Sequence, residues 1–352
     1  MTFMMGTHIS EMQGVRIVRI LVSSKAQESV RTTQNSWFRN PTYVWVSVEE
    51  ALKGALFDAA FISRDVTGKS TKSVTLKDTQ NFYDLLKTSK TLKWVHIHSA
   101  GADRPIYIEL MSKGVLLSTS FGANAKIVAQ TALAGVLSLG RHFPTLQRSQ
   151  TKHLWTPLVS SQLPTPDLEG QRVLIVGRGP VGLEITRLLR CIGMVCEHIR
   201  FKREEDLTLT GDSEVKIKSY HYTEIASVLS TIQYLILACP LSKESRGLID
   251  KAMLDLLPIG AKLVNVARGE VVVEADLVEA LNQNKLGGAY LDVFEKEPLQ
   301  GGSPLWDLPN VIITPHSAGH SDGNEARVLS LFLANLDCFA KGELPNFLAT
   351  HP

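Results

Sequence analysis

An α/β fold in two lobes, each built on a parallel sheet, is predicted by three features of the chain. From Val15 onward, short apolar runs alternate with helical patterns, the rhythm of parallel strands joined by crossover helices. That rhythm stops at Ala125–His142 and in the proline-bearing loop after it, then restarts at QRVLIVGRG. The length, 352 residues, suits two domains better than one.

In the first lobe the strands are read in VRIVRILVS, GALFDAAFISR, LKWVHIHS and GVLLSTS. Ala125–His142 (AKIVAQTALAGVLSLGRH) follows as a helix with apolar residues all around it, which predicts burial on every side, between domains or subunits. A loop carrying Pro144, Pro157, Pro164 and Pro166 separates it from the second lobe, whose later strands are MVCEHI, IQYLILAC, AKLVNVA, GGAYLDV and NVIITP. The last segment, Asn324–Lys341, sets Val328, Leu329, Phe332, Leu333, Leu336 and Phe339 at helical spacing and ends near Gly342.

Composition narrows the class of function. Lys and Arg number 37 against 35 Asp and Glu, for a net charge of +2, so neither a nucleic acid nor an anionic membrane is an expected partner. The longest uncharged stretch near mid-chain, 127–140, is too short for a membrane span, and the N-terminus has no basic start followed by an apolar run, so the expected home is the cytoplasm. Four irregularly spaced cysteines, Cys191, Cys196, Cys239 and Cys338, read as buried thiols. His96 with His98, and His316 with His320, lack the further ligands that a metal site needs, and no metal is expected.

Gly177-Arg178-Gly179-Pro180-Val181-Gly182 matches GxGxxG, directly after the strand VLIV and before the helical stretch LEITRLLRCIG. In that setting the first glycine permits a tight turn, the second lets backbone approach a pyrophosphate and the third lets helix pack on strand. The helix N-terminus adds its positive dipole, and Pro180 falls at the helix start, where a missing N–H is tolerated. A Rossmann fold normally has an acidic residue about 20 positions on, bonding the adenosine ribose. That place falls at Arg200, with Lys202 and Arg203 close by, so NADP is expected rather than NAD, with NAD still possible.

Ligands of open parallel sheets bind beyond the carboxyl ends of the strands. There, AKLVNVA is followed by Arg268, GGAYLDV by Glu297 and NVIITP by His316. The set suits reduction of a 2-oxo acid. Arg268 can hold a carboxylate in a two-pronged contact, His316 can donate a proton to the carbonyl oxygen, and Glu297 can orient and charge the imidazole.

Together, SAGAD (Ser99–Asp103), KIVAQTALAGVLSLGR, VLIVGRGPVG, CPLSKESRGLID, LVNVARGEVV, LDVFEKEP and ITPHSAG give the chain a resemblance to the D-isomer-specific 2-hydroxyacid dehydrogenases, from about Val15 to Phe347. The resemblance implies a Rossmann dinucleotide-binding domain, residues 125–320, inserted in a flavodoxin-like substrate-binding domain made of residues 1–124 and 321–352. It implies Arg268 as the substrate-binding arginine, Glu297 and His316 as the acid-base dyad, and Ala100 and Gly101 as the loop whose amides bind the substrate carboxylate. It adds Pro240, Ala267 and Asp292 to the cofactor-binding positions, Asp292 at the nicotinamide end, and a homodimer formed around the Ala125 helix. Arg200 in place of an acid resembles the glyoxylate and hydroxypyruvate reductase branch. A dinucleotide-sensing corepressor that shares the Arg, Glu, His set, and a 3-phosphoglycerate dehydrogenase, are the alternative readings.

Overall fold

The computed structural model describes residues 17–68, 70, 75–158, 165–201, 207–209 and 215–349. The chain divides into two compact units, one running up to Ala123 and resuming at Glu325, the other spanning Asn124–Asn324.

The first unit holds five strands, β1 (Val18–Val22), β2 (Tyr43–Ser47), β3 (Ala59–Ile62), β4 (Trp94–Ile97) and β5 (Leu116–Thr119). All pair in parallel, in the order β2-β1-β3-β4-β5, the doubly wound flavodoxin-like arrangement. The segments VRILV, AAFI and WVHI are apolar almost throughout because helices cover both faces of the sheet. One face packs Leu21, Ile62 and Val95 on Tyr107 and Leu110. The other receives the helix Asn324–Ala340, whose Val328, Leu329, Phe332, Leu333, Leu336 and Phe339 are all buried in that core. Phe332 stacks on Phe61 at 4.4 Å and on Trp94 at 5.8 Å between ring centroids.

β2 is a strand that the sequence reading does not include. It lies at the sheet edge, with Val44 45% exposed, yet its run Tyr43-Val44-Trp45-Val46 is apolar and rich in strand formers, so the signal is present in the sequence. His96, on β4, is fully buried with both ring nitrogens engaged: Nδ1 lies 2.8 Å from Ser118 Oγ and Nε2 3.1 Å from Ser120 Oγ. Burial, and the neighbouring His98, push its pKa down to about 3, so the ring is neutral. Since Ser120 Oγ already donates to the Ile97 carbonyl, Nε2 carries the proton and Nδ1 accepts from Ser118.

The second unit comprises β6 (Arg172–Val176), β7 (Val195–Arg200), β8 (Leu207–Leu209), β9 (Val215–Ile217), β10 (Ser219–His221), β11 (Tyr234–Leu237), β12 (Ala261–Asn265), β13 (Leu286–Leu291) and β14 (Val311–Ile313). Seven of them form one parallel sheet in the order β10-β7-β6-β11-β12-β13-β14, the Rossmann order with one strand added at its end. β8 and β9 make a separate antiparallel hairpin. Neither the hairpin nor β10 is anticipated from sequence, because three residues are too few to establish a period.

Three further expectations are corrected here. Within this chain the helix Ala125–Gly140 buries one face, through Ala129, Ala132, Gly135, Val136 and Leu139, while Lys126, Gln130 and Ala134 are exposed. Its all-round apolar character comes partly from small residues that let it lie close to the sheet. Pro144 does not sit in a loop. It starts the helix Phe143–Thr151, where proline's fixed φ is already helical. Cys191 is exposed rather than buried, unlike Cys196 and Cys239. Among the described residues, no helix is long and apolar enough to cross a membrane, and no group of three or more His, Cys, Asp or Glu could hold a metal ion.

Candidate active site

The glycine loop joins β6 to the helix Pro180–Cys191 at the point where the strand order of the second sheet reverses, between β6 and β11. Gly177 has φ +115°, and a Cβ there would stand 2.6 Å from the Ala238 carbonyl oxygen. A Cβ on Gly182 would stand 2.3 Å from the Gly177 oxygen, so the turn is open only to glycine at both ends. Gly179 is the helix N-cap and Pro180 the first helical residue. The first-turn N–H groups have no partner inside the helix, which makes the site fit an anionic pyrophosphate. Val181 lies half-buried in that first turn.

Arg200 ends β7, half-buried, and pairs in register with His221 of β10. Lys202 and Arg203 lie outside the described residues. After β11, Pro240 is exposed and its carbonyl accepts from the buried Ser245 hydroxyl at 2.8 Å. Ala100 and Gly101 lie in the loop that leaves β4 of the first unit, where Ser99 Oγ donates to the Gly101 carbonyl at 2.9 Å.

Three adjacent strand ends carry the rest of the site. β12, β13 and β14 pair in register, Asn265 with Leu291 and Leu291 with Ile313, so the loops that leave them start level. Asn265 holds the first loop: its Oδ1 accepts from Ala267 N and its Nδ2 donates to the Arg268 carbonyl, both at 3.0 Å. Arg268 is half-buried, with Nη1 donating to the Ala267 carbonyl at 2.7 Å. A Cβ on Gly269 would fall 1.8 Å from the Phe294 carbonyl carbon. Glycine there lets the Arg268 loop nest directly on the loop that bears Glu297.

Glu297 and His316 form a pair, Oε2 to Nδ1 at 2.7 Å, with the histidine side chain 46% exposed and the glutamate 30%. Burial works to raise the Glu297 pKa. The hydrogen bond and charge of His316, the Phe294 N–H at 3.1 Å and the Arg268 guanidinium outweigh it and hold the carboxyl below the usual range. Glu295, the other carboxylate in that loop, turns away: its Oε1 accepts from Glu274 N at 3.0 Å, at the start of the helix Glu274–Asn282. His316 adopts φ +49°, a left-handed conformation uncommon for any residue other than glycine, held by its N–H bonds to the Asp292 and Thr314 carbonyls at 2.8 and 3.0 Å.

Asp292, expected at the nicotinamide end, is 2% exposed and has both carboxylate oxygens occupied by the loop after β14. Oδ1 accepts from Thr314 Oγ1 at 2.6 Å, Ser317 N at 2.9 Å and Ala318 N at 3.1 Å, and Oδ2 from Ala318 N at 3.0 Å. The carboxylate therefore fixes the strand-end loop on which His316 rides. Thr314, Asn265 and the buried His198 with Thr186, described below, were not singled out in the sequence, where lone polar residues in apolar runs give no signal.

Residues 133–318, just over half of the chain, match the family described as D-isomer specific 2-hydroxyacid dehydrogenase, NAD binding domain. A D-3-phosphoglycerate dehydrogenase of Bacillus subtilis is 32% identical over 261 residues, covering 74% of this chain and 47% of that protein. A glyoxylate reductase of Thermofilum pendens is 28% identical over 266 residues, 74% of this chain and 76% of the other. The crystal structure of a D-isomer specific 2-hydroxyacid dehydrogenase from Xanthobacter autotrophicus Py2, in complex with NADPH and MES, superposes with a TM-score of 0.73 at 24% identity, over 96% of this chain and 98% of that one. The fold and the matched segment define an NAD(P)-dependent oxidoreductase. More narrowly, the chain belongs to the D-isomer specific 2-hydroxyacid dehydrogenase family, with a Rossmann domain set into a flavodoxin-like one.

Proposed function

We propose that the protein uses NADPH to reduce a small 2-oxo acid of the glyoxylate or hydroxypyruvate type to the D-2-hydroxy acid. The observation that carries this reading is the 2.7 Å pair of His316 and Glu297, beside Arg268 and beyond adjacent strand ends. When bound, the reduced nicotinamide supplies a hydride. Arg268 binds the substrate carboxylate through its guanidinium fork, and in the first unit the family resemblance assigns carboxylate binding to the backbone amides of Ala100 and Gly101. His316 donates a proton from Nε2 to the substrate oxygen, since Nδ1 is turned to Glu297. Glu297, its carboxyl held below the usual range, accepts from Nδ1 and keeps that imidazole oriented. In oxidation the neutral ring takes the proton back.

A substrate panel tests the reading: glyoxylate, hydroxypyruvate, pyruvate and phenylpyruvate, each with NADPH and NADH, followed by dinucleotide absorbance. Oxidation of NADPH by glyoxylate or hydroxypyruvate is expected. Absence of turnover with every acid, in folded protein that binds the dinucleotide, overturns it and favours the corepressor-like alternative. The 32% identity to a D-3-phosphoglycerate dehydrogenase supports a second reading, so 3-phosphoglycerate with NAD and NADP completes the panel.

The choice of NADP rests on Arg200, at the position where an acid would accept from the ribose hydroxyls, with Lys202 and Arg203 as further cations. Arg200→Asp removes a cation from the 2′-phosphate and supplies an acceptor for a ribose. A charge-assisted hydrogen bond contributes about 1.5–3 kcal/mol, so the ratio of kcat/KM with NADPH to that with NADH falls by about ten- to a hundredfold. An unchanged ratio removes Arg200 from the cofactor site.

Glu297→Gln keeps the shape of the dyad and removes its negative charge. Without the carboxylate that accepts from Nδ1, the imidazole loses its orienting partner, and kcat is expected to fall by about ten- to a hundredfold in both directions with the Kd for NADPH little changed. A kcat within about twofold of the wild type separates Glu297 from the proton transfer. A homodimer built around the Ala125 helix and a cytoplasmic location complete the proposal. Support for the dimer comes from the exposed apolar residues Phe143, Leu154 and Trp155 that follow that helix, the last 95% exposed.

A further inference from the structure

A buried histidine lies directly beneath the glycine loop, outside the proton-transfer site. His198, on β7, is fully buried, with Nδ1 3.1 Å from the Gly177 carbonyl oxygen and Nε2 2.7 Å from Thr186 Oγ1. Thr186 is also fully buried, two turns into the helix that the glycine loop opens, and its Oγ1 lies 2.9 Å from the Gly182 carbonyl oxygen. His198 and Thr186 together thus set the second strand of the sheet against both ends of the glycine motif.

The hydrogen-bond inventory assigns the protons. Burial pushes the pKa of His198 down to about 4, against the pull of the Gly177 carbonyl, so the ring is neutral and has one N–H. A carbonyl can only accept, which puts that N–H on Nδ1, directed at Gly177; the single Thr186 hydroxyl proton then turns to Nε2 and not to the Gly182 carbonyl, which keeps the N–H of its own helix. The other groups of Gly177 are already held. Its N–H donates to the Ile199 carbonyl at 2.9 Å, and the place a Cβ would take is filled by the Ala238–Cys239 backbone. What remains is the peptide plane between Gly177 and Arg178. A trans peptide points its C=O and N–H in opposite directions. Holding the Gly177 oxygen inward on His198 therefore turns the Arg178 N–H outward, to the side on which the helix N-terminus opens.

We propose that His198 is a positioning residue for the dinucleotide: its Nδ1–H, backed by Thr186, sets the Gly177–Arg178 peptide so that the loop meets the pyrophosphate already formed. This inference rests on the Rossmann domain's binding a dinucleotide. It differs from the Arg200 proposal in acting on a moiety that NADPH and NADH share, so both are affected alike.

The test exploits two isosteres of histidine. The terminal atoms of asparagine reach the place of Nδ1, and those of glutamine the place of Nε2. Dissociation constants for NADPH and NADH are measured by fluorescence titration, with kcat and both KM values from steady-state reduction of the best acid on the panel. His198→Asn, which keeps a donor toward Gly177, is expected to stay within about threefold of the wild type. His198→Gln is expected to raise Kd and KM for both dinucleotides about tenfold, with kcat and the KM of the oxo acid little changed. Thr186→Val, similar in volume but without the hydroxyl, is expected between them, and Thr186→Ser restores wild-type binding. Melting temperatures of all four variants are recorded alongside. Asparagine and glutamine variants with the same dinucleotide affinity would show a packing role only and overturn the proposal. Wild-type protein that binds neither dinucleotide would overturn the cofactor reading beneath it, a separate outcome read from the first titration.

Discussion

His316→Ala is expected to lower kcat for reduction by about a thousandfold, within the range that general acid catalysis supplies, while the Kd for NADPH stays within about twofold. The ring is 46% exposed and hydrogen-bonds to Glu297, so removing it opens no cavity in the core and the fold should be retained. The loop beneath is held through backbone, by Asp292 on the Ser317 and Ala318 amides. The expected loss is therefore one of proton transfer and not of structure, and oxidation should fall together with reduction. Steady-state kinetics with a circular dichroism control checks this. A kcat within tenfold of the wild type removes His316 as the acid.

Arg268→Ala is expected to act on the substrate. A guanidinium that engages a carboxylate with two parallel bonds contributes about 3–4 kcal/mol, so kcat/KM for the 2-oxo acid should fall by about a hundred- to a thousandfold, mostly through KM. Arg268→Lys should recover only part of this, because an ammonium offers a point charge where the site is built for a planar fork. The loop is shaped by Asn265 and by the close approach at Gly269, neither of which uses the arginine side chain. A KM unchanged in Arg268→Ala would assign the carboxylate to other groups.

The glycine loop was legible because its motif lies between a strand and a helix, so that turn, phosphate site and sheet order follow from one short stretch. The set Arg268, Glu297 and His316 was legible for a related reason: each residue closely follows an apolar run, and parallel strands bring their carboxyl ends together. Less local features stayed hidden. His198 meets Thr186 and Gly177 only after β6, β7 and the intervening helix have packed, and a single histidine in an apolar strand gives no pattern. The part of Asp292 in holding the His316 loop is equally a product of folding, since its partners are backbone amides 25 and 26 residues away. β10 escaped because a three-residue strand carries too little periodicity, whereas β2 carries a legible apolar run, Tyr43-Val44-Trp45-Val46, that the sequence reading omits.

The first unit is assembled from both ends of the chain, and this fixes an order of events during synthesis. The second unit is continuous, Asn124–Asn324, so all of its strands have emerged once residue 324 leaves the ribosome. At that moment β1 to β5 have long been made, yet one face of their sheet still lacks Phe332, Leu333 and Leu336. The end of β5 also waits for the bonds of Thr119 N to Phe347 and of Ala349 N to Leu117. Translation thus finishes the later-encoded domain before the earlier one can close. For the time taken to add some 200 residues, roughly 10–40 s at typical elongation rates, the nascent chain carries an apolar sheet face with aromatic side chains that only its final helix can cover.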